Sequence, residues 1–284
     1  MQKVKIKSIR KLDRKLDRYD LTISATHNFF ANNILIHNSS LRVGNVKISL
    51  KESKIRYYLN KLFSKFDLRL ESSKYKDVVG SRKVIKTENL TQQSYYKTNI
   101  WQNAYEKHFK GKLRKGEVLY AEIVGWEGDE NSSPIMGRYS TEKMGKDFVK
   151  QYGKEMIFSY GCAVGTFDVY VYRITLTNGD GYQYDYSWED VKRRCNEMGV
   201  KHVVEVGTVY MKDFERPEDL LTYAESLTDK PSVLDNRHLE EGNCFRIENN
   251  LMDLKIYKNK GWLYKVLENI IKLDENFVDT EESN

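Results

Sequence analysis

With 284 residues, 40% hydrophobic and 12% aromatic, the chain has enough apolar surface for one large domain, or a medium domain plus a small one, which excludes disorder as its default state. A mean hydropathy of −0.67, no apolar run near the roughly 20 residues of a membrane helix, and a lysine-rich N-terminus without an apolar core predict a cytoplasmic protein with no membrane partner. The net charge of +6 is lopsided: residues 1–38 carry eight Lys/Arg against three Asp, a local +5, leaving 39 basic against 38 acidic residues in 39–284.

Residues 2–9 alternate basic and apolar side chains, the period-2 pattern of a half-buried strand. A tandem Lys-Leu-Asp-Arg at 11–14 and 15–18 reads as a polar turn, and Tyr19 to Ile23, with Asp20 in it, as a second strand. Then comes Thr26-His27-Asn28-Phe29-Phe30-Ala31-Asn32-Asn33-Ile34-Leu35-Ile36-His37-Asn38-Ser39. An Asn carboxamide can attack its own carbonyl carbon, form a succinimide and cut the chain after itself. A preceding imidazole can polarise that peptide and protonate the leaving group, and a following hydroxyl can receive an upstream acyl group. The run closely resembles the C-terminal splicing block of inteins, where an aromatic pair and an apolar strand lead to His-Asn and then Ser, Thr or Cys. The resemblance implies that Asn38 cyclises, His37 assists it, Ser39 is the acyl acceptor, and His27 and Asp20 help to move protons. Because Met1 stands only 38 residues before the junction, the expectation is the C-terminal half of a split intein, an all-β segment over 1–38 whose +5 charge suits steering toward an acidic N-terminal half.

Beyond the junction, residues 47–76 hold nine Lys/Arg and three acids, which suits either a phosphate backbone or a solvated helical face. Ser39-Ser40-Leu41-Arg42-Val43-Gly44 is followed in order by Val79-Gly80-Ser81-Arg82, by the apolar strand 118–125 bearing the single carboxylate Glu122, and by Phe167-Asp168-Val169-Tyr170-Val171-Tyr172-Arg173-Ile174. Ser187-Trp188-Glu189-Asp190 has the form of a capping box opening a helix to about Met198, and Arg216-Pro217-Glu218-Asp219 opens another to about Ser226. Glu240-Glu241-Gly242 and the Lys258-x-Lys260 pair, both ammoniums on one strand face, complete the series.

Taken together, these elements resemble the ordered motifs of ATP-dependent RNA ligases of the covalent nucleotidyltransferase superfamily. The resemblance implies an α+β fold in which the intein (HINT-type) segment precedes a nucleotidyltransferase, ATP-grasp-like ligase domain of antiparallel sheets with flanking helices over 39–284. It assigns Arg42 and Arg82 to phosphate and nucleotide contacts, Glu122 to the ribose, Tyr172 to adenine stacking with Tyr170 as the alternative, Glu241 to a catalytic Mg²⁺, and Lys258 and Lys260 to the α-phosphate of ATP. Arg173 departs from the acidic residue common after the aromatic strand. The nucleophilic lysine, in a Lys-x-(Asp/His)-Gly motif, is missing, and the resemblance implies that it resides on the N-terminal partner and is joined by splicing.

Only 24 residues follow Lys260, so no C-terminal OB domain is expected and a phage RNA-repair type is the closest fit, with RNA as substrate and the host cytoplasm as location. A DNA ligase, a capping enzyme, or a non-catalytic nucleic-acid-binding module are the alternatives. Cys162, Cys195 and Cys244 are far apart, with no CxxC pair and no nearby histidine at ligand spacing, and predict neither a disulfide framework nor a zinc site.

Overall fold

A computed structural model of the chain describes residues 28–31, 34–37, 39–49, 73–82, 84–86, 96, 98–128, 132–248 and 254–271. The strands expected at 2–9 and 19–23, most of the basic stretch 47–76, and Asp20, His27 and Asn38 lie outside these residues. The first described element is a hairpin of β1 (Asn28–Ala31) and β2 (Ile34–His37), antiparallel, with Asn28 opposite His37.

The body is mixed α+β, built on one six-stranded sheet. Its strands are β3 (Ser40–Ser49), β4 (Ser73–Gly80), β5 (Glu117–Gly125), β8 (Phe167–Thr177), the short β9 (Gln183–Asp185) and β10 (Lys201–His202), in the order β10-β8-β5-β3-β4 with β9 paired to β8. The pairs are antiparallel except β10 with β8.

The period of two decides which face each side chain takes. On one face Leu41 and Val43 of β3, Leu119, Ala121 and Ile123 of β5, and Val169, Val171 and Ile174 of β8 are fully buried. They meet α1 (Ile100–His108) and α3 (Trp188–Met198). The first helix starts where Asn99 accepts a hydrogen bond from the Gln102 amide at 3.1 Å, and turns Ile100, Trp101, Ala104 and Tyr105 onto the sheet. The second starts at Ser187, whose hydroxyl oxygen accepts from the Asp190 amide at 3.1 Å, ends at Gly199, and buries Val191, Cys195 and Met198. Burial also pushes the Cys195 thiol up to about 12.

The opposite face carries a second core of Val124, Met136, Tyr139, Met156, Phe158, Tyr170, Leu239, Tyr264 and Leu267. It is assembled from β6 (Arg138–Ser140), α2 (Lys146–Tyr152), β7 (Glu155–Ile157), and, beyond α4 (Pro217–Ser226), the hairpin β11 (Gly242–Ile247) with β12 (Lys255–Lys260) and the short α5 (Trp262–Leu267). With α1 and α3 on one face and this aromatic-rich layer packed at Val124 and Tyr170 on the other, Arg42, Tyr120 and Glu122 stand on the rest of that second face, the floor. Among the described residues no helix is long and apolar enough to cross a membrane.

Candidate functional site

The floor is set by register. Ser40 of β3, Glu122 of β5 and Tyr170 of β8 form one row across three strands; Arg42, Tyr120 and Arg173 form the next. Both Glu122 oxygens are held: the Ser39 hydroxyl donates to Oε2 at 2.8 Å and the Ser40 hydroxyl to Oε1 at 2.9 Å. The Tyr120 ring carries a guanidinium on each of two sides, Arg42 at 5.1 Å and Arg173 at 5.0 Å from its centroid. Arg173 is anchored by both of its forked nitrogens to the buried Asp185 carboxylate, one bond measuring 2.9 Å.

A β-bulge decides where Tyr172 goes. The pairing of β5 with β8 shifts between Tyr120 and Ala121: Tyr120 lies opposite Arg173, whereas Ala121 lies opposite Val171. One extra residue on β8 therefore lies between two core positions, and with Val171 and Ile174 both buried on the helix side, Tyr172 and Arg173 share the floor side. The Tyr172 ring stands 6.5 Å from that of Tyr120. Its phenol is pushed well above the ordinary tyrosine range, by burial first, then by the Glu122 carboxylate, against the opposing pull of Arg42 and Arg82. Tyr170, the alternative stacking ring, is buried in the second core with the Lys201 ammonium 5.5 Å from its centroid.

Arg82 follows the end of β4 in a turn closed by the Ser81 amide donating to Val84 at 2.8 Å. An open cavity of about 210 Å³ lies there, lined by Arg42, Gly44, Val46, Val78, Arg82 and Val118 among others. That is below the roughly 300–1,000 Å³ of a pocket enclosing a whole small molecule, so it suits one part of a ligand. Gly44 is required by space: a Cβ there would stand 2.7 Å from a Val118 methyl.

The β11–β12 hairpin carries the remaining candidate residues. Its first strand begins at Gly242, at φ +144°, where a Cβ would meet the Asn259 carbonyl oxygen at 2.0 Å; only glycine allows the strands to close there. Glu241, just before it, accepts the Tyr160 hydroxyl on Oε1. The Tyr160 phenol is driven far up by burial and by Glu241, with Glu122 adding to the effect. Across the hairpin Lys258 is opposite Cys244. The Cys244 thiol, at a residue that reaches solvent but is crowded by protein, is raised by that desolvation, lowered by Lys258, and raised by Glu241 and Glu122. Arg42, Arg82, Glu122, Tyr172, Glu241 and Lys258 thus act electrostatically on a common neighbourhood. No protein-family model, curated protein or solved structure matches this chain.

Lys260 is engaged by the protein itself. It lies opposite Gly242, and its ammonium is 3.5 Å from the Glu268 carboxylate, which also accepts from the Tyr264 hydroxyl at 3.1 Å and the Tyr139 hydroxyl at 3.3 Å. Among the described residues no three His, Cys, Asp or Glu side chains cluster as metal ligands. Mg²⁺ characteristically keeps several waters and uses one or two carboxylates together with substrate phosphates, so a single carboxylate such as Glu241 is of the right chemical kind to serve it.

Of the splicing residues, Ser39 is fully buried, His37 ends β2, and Asn38, His27 and Asp20 lie outside the described residues. Sequence reasoning missed Ser40, Tyr120 and Tyr160. Ser40 and Tyr120 carried a signal, since a period of two puts them on the same face as Arg42 and Glu122; Tyr160 carried none.

Proposed function

We propose that this chain is the C-terminal partner of a split intein fused to the larger part of an ATP-dependent RNA ligase. The observation that supports the ligase half best is the placement of Arg42, Glu122 and Tyr172, from three strands far apart in sequence, on one face of a sheet, with Arg82 lining the same cavity as Arg42. The splicing half is supported by the run from Thr26 to Ser39 and by the short β1–β2 hairpin leading into His37.

In the splicing reaction the Ser39 hydroxyl takes the acyl group of an upstream (thio)ester on the N-terminal fragment. Asn38 then cyclises with help from His37 and releases the intein, and the freed Ser39 amine receives the acyl group from its own hydroxyl, restoring a peptide bond. Joining brings the lysine motif of the partner to the N-terminal end of β3. That lysine attacks the α-phosphate of ATP and pyrophosphate leaves; AMP passes to an RNA 5′-phosphate, and an RNA 3′-hydroxyl displaces it. Glu122 holds the ribose, Tyr172 stacks on adenine, Arg42 and Arg82 take phosphate charge, and Lys258 faces the α-phosphate, where charge grows in the transition state. Mg²⁺, held through Glu241, would supply further screening of the phosphates.

The experiment is to mix the chain with an N-terminal fragment carrying Lys-x-(Asp/His)-Gly and an intein N-half, then add ATP labelled in its α-phosphate. Covalent label is expected on the joined product and absent from the chain alone. Label on the chain alone would mean that one of its own lysines, such as Lys11 or Lys15, is the nucleophile and that the junction is misassigned.

A further inference from the structure

We propose that the folded ligase body withdraws Ser39 from the splicing reaction, with Glu122 as the latch, so that acyl transfer has to run before β3 closes on β5. This rests on the reading of Ser39 as the acyl acceptor.

Four contacts hold the junction closed. Ser39 has no exposed surface. Its hydroxyl donates to Glu122 Oε2 at 2.8 Å, and its carbonyl accepts the Ile123 amide at 3.2 Å. The next residue repeats the pattern: the Ser40 hydroxyl donates to Glu122 Oε1 at 2.9 Å, and its carbonyl accepts the indole N–H of the buried Trp101 at 3.1 Å.

Acyl transfer needs the opposite arrangement. The Ser39 oxygen must come within about 3–3.5 Å of a carbonyl carbon on a second polypeptide. The new C–O bond forms as the bond from that carbon to the leaving sulfur or oxygen breaks, and the hydroxyl proton passes to the leaving group. A hydroxyl on a residue with no exposed surface, with its proton already in a bond to a carboxylate, satisfies neither condition. The same burial argues against Glu122 acting as the base of this step, because a base helps only a nucleophile that the acyl group can reach.

Two consequences follow from one carboxylate serving both ends. Before joining, Glu122 competes with the acyl group for Ser39, so a body that folds early is a slow precursor. After joining, the same pair of serine hydroxyls orients Glu122 for the ribose, and the residue that served the splice remains part of the ligase site.

The first test needs no partner. The thiol introduced by Ser39→Cys in the full chain is alkylated and read by peptide mapping, natively and in urea, with the buried Cys195 as reference. Like Cys195, it should react far more slowly in the native chain than in urea, and Glu122→Ala should restore roughly tenfold of that rate, the scale of one hydrogen bond to a charged group. Native labelling as fast as in urea would overturn the latch.

The second test compares initial rates of joining to the N-terminal fragment for the parent, Glu122→Ala, and Trp101→Ala, which loosens the junction without touching Ser39. Both variants should join faster than the parent, by roughly tenfold for Glu122→Ala. Equal or slower joining by Glu122→Ala overturns the proposal, slower joining in favour of Glu122 as the base. A parent that never joins would count against the splicing assignment itself, while the alkylation result still decides whether Ser39 is latched.

Discussion

The Tyr160 hydroxyl donates a hydrogen bond to Oε1 of Glu241, across 81 residues of sequence. Tyr160 sits at φ +51°, an uncommon backbone state for a tyrosine, and is held there by its own amide, which donates to His238 Nε2 at 3.3 Å, and by its ring, 4.7 Å from the His238 ring. Tyr160→Phe removes only the hydroxyl. If Glu241 carries the metal, its loss of orientation should cost about 10–100-fold in ligation and raise the Mg²⁺ concentration needed, while thermal stability changes little. A Mg²⁺ titration of sealing by the joined enzyme checks this; an unchanged titration would remove Tyr160 from the site.

His238 makes stability depend on pH. It is fully buried, its Nδ1 is 2.8 Å from the Leu239 carbonyl, and burial pushes its imidazole below the ordinary histidine range, although Leu239, Asp235 and Glu241 pull the other way. The tautomer that fits donates from Nδ1 and accepts the Tyr160 amide at Nε2, so protonation destroys the acceptor. With the folded pKa below the unfolded value of roughly 6.5, the unfolded chain binds more protons, and stability is lost as pH falls through that value. His108, also lowered by burial and by Lys107, adds in the same direction. Asp235 does not contribute in this window. Burial works to raise its carboxyl, but the hydrogen bonds from Arg237, Ser159 and Gly161 outweigh it and hold it well below the carboxylate range, so its share is lost only as pH falls below the unfolded value of about 4. Melting temperatures should be flat from pH 8 to 7 and fall toward pH 5, with a shallower fall in His238→Gln.

The pair Glu117–Arg194 fastens α3 to the sheet from inside the core. Arg194 donates to both Glu117 oxygens, at 2.8 and 3.0 Å, and both side chains are buried. Glu117→Ala leaves the buried guanidinium with only the partly exposed Glu197 carboxylate, at 3.1 Å, and should cost about 3 kcal/mol, whereas Glu117→Leu with Arg194→Met should be close to neutral. Urea unfolding of the three proteins checks both; equal destabilisation of the single and double variants would contradict it.

Lys258 and Lys260 should separate in kind. On the proposed assignment of Lys258 to the α-phosphate, Lys258→Ala should slow adenylylation on the order of a hundredfold without changing the melting temperature. RNA already carrying a 5′-adenylate should restore sealing at least in part. Lys260→Ala also strips the cation from Glu268, whose side chain is only 2% exposed, and should lower the melting temperature as well. Glu241→Ala should remain slow even on pre-adenylylated RNA. Single-turnover rates for both steps, with melting curves, distinguish the three variants.

Local chemistry was legible in the sequence. The cap at Ser187 and the Arg216-Pro217 opening give helices α3 and α4 with the bounds expected, and the strands at 118–125 and 167–174 fall within β5 and β8, because capping and period are properties of neighbouring residues. The bulge that turns Tyr172 and Arg173 to one side was not legible, since alternation would separate them; only the pairing with Tyr120 and Ala121 creates it. Likewise, Lys-x-Lys spacing predicts a shared face but not that Lys260 finds Glu268, a contact supplied by α5 packing beside the hairpin. The serine pair on Glu122 depends on sheet register, which no local pattern in either strand specifies.

The most direct test of the split-intein and ligase reading is the intact mass of the product formed when the full chain is mixed with the N-terminal fragment. Splicing requires a joined polypeptide in which Ser39 follows the partner's last ligase residue and residues 1–38 are released as a separate peptide ending in a succinimide. Asn38→Ala should abolish that release. A mixture that yields no joined chain, or an Asn38→Ala chain that yields the same joined product in normal amount, would contradict it.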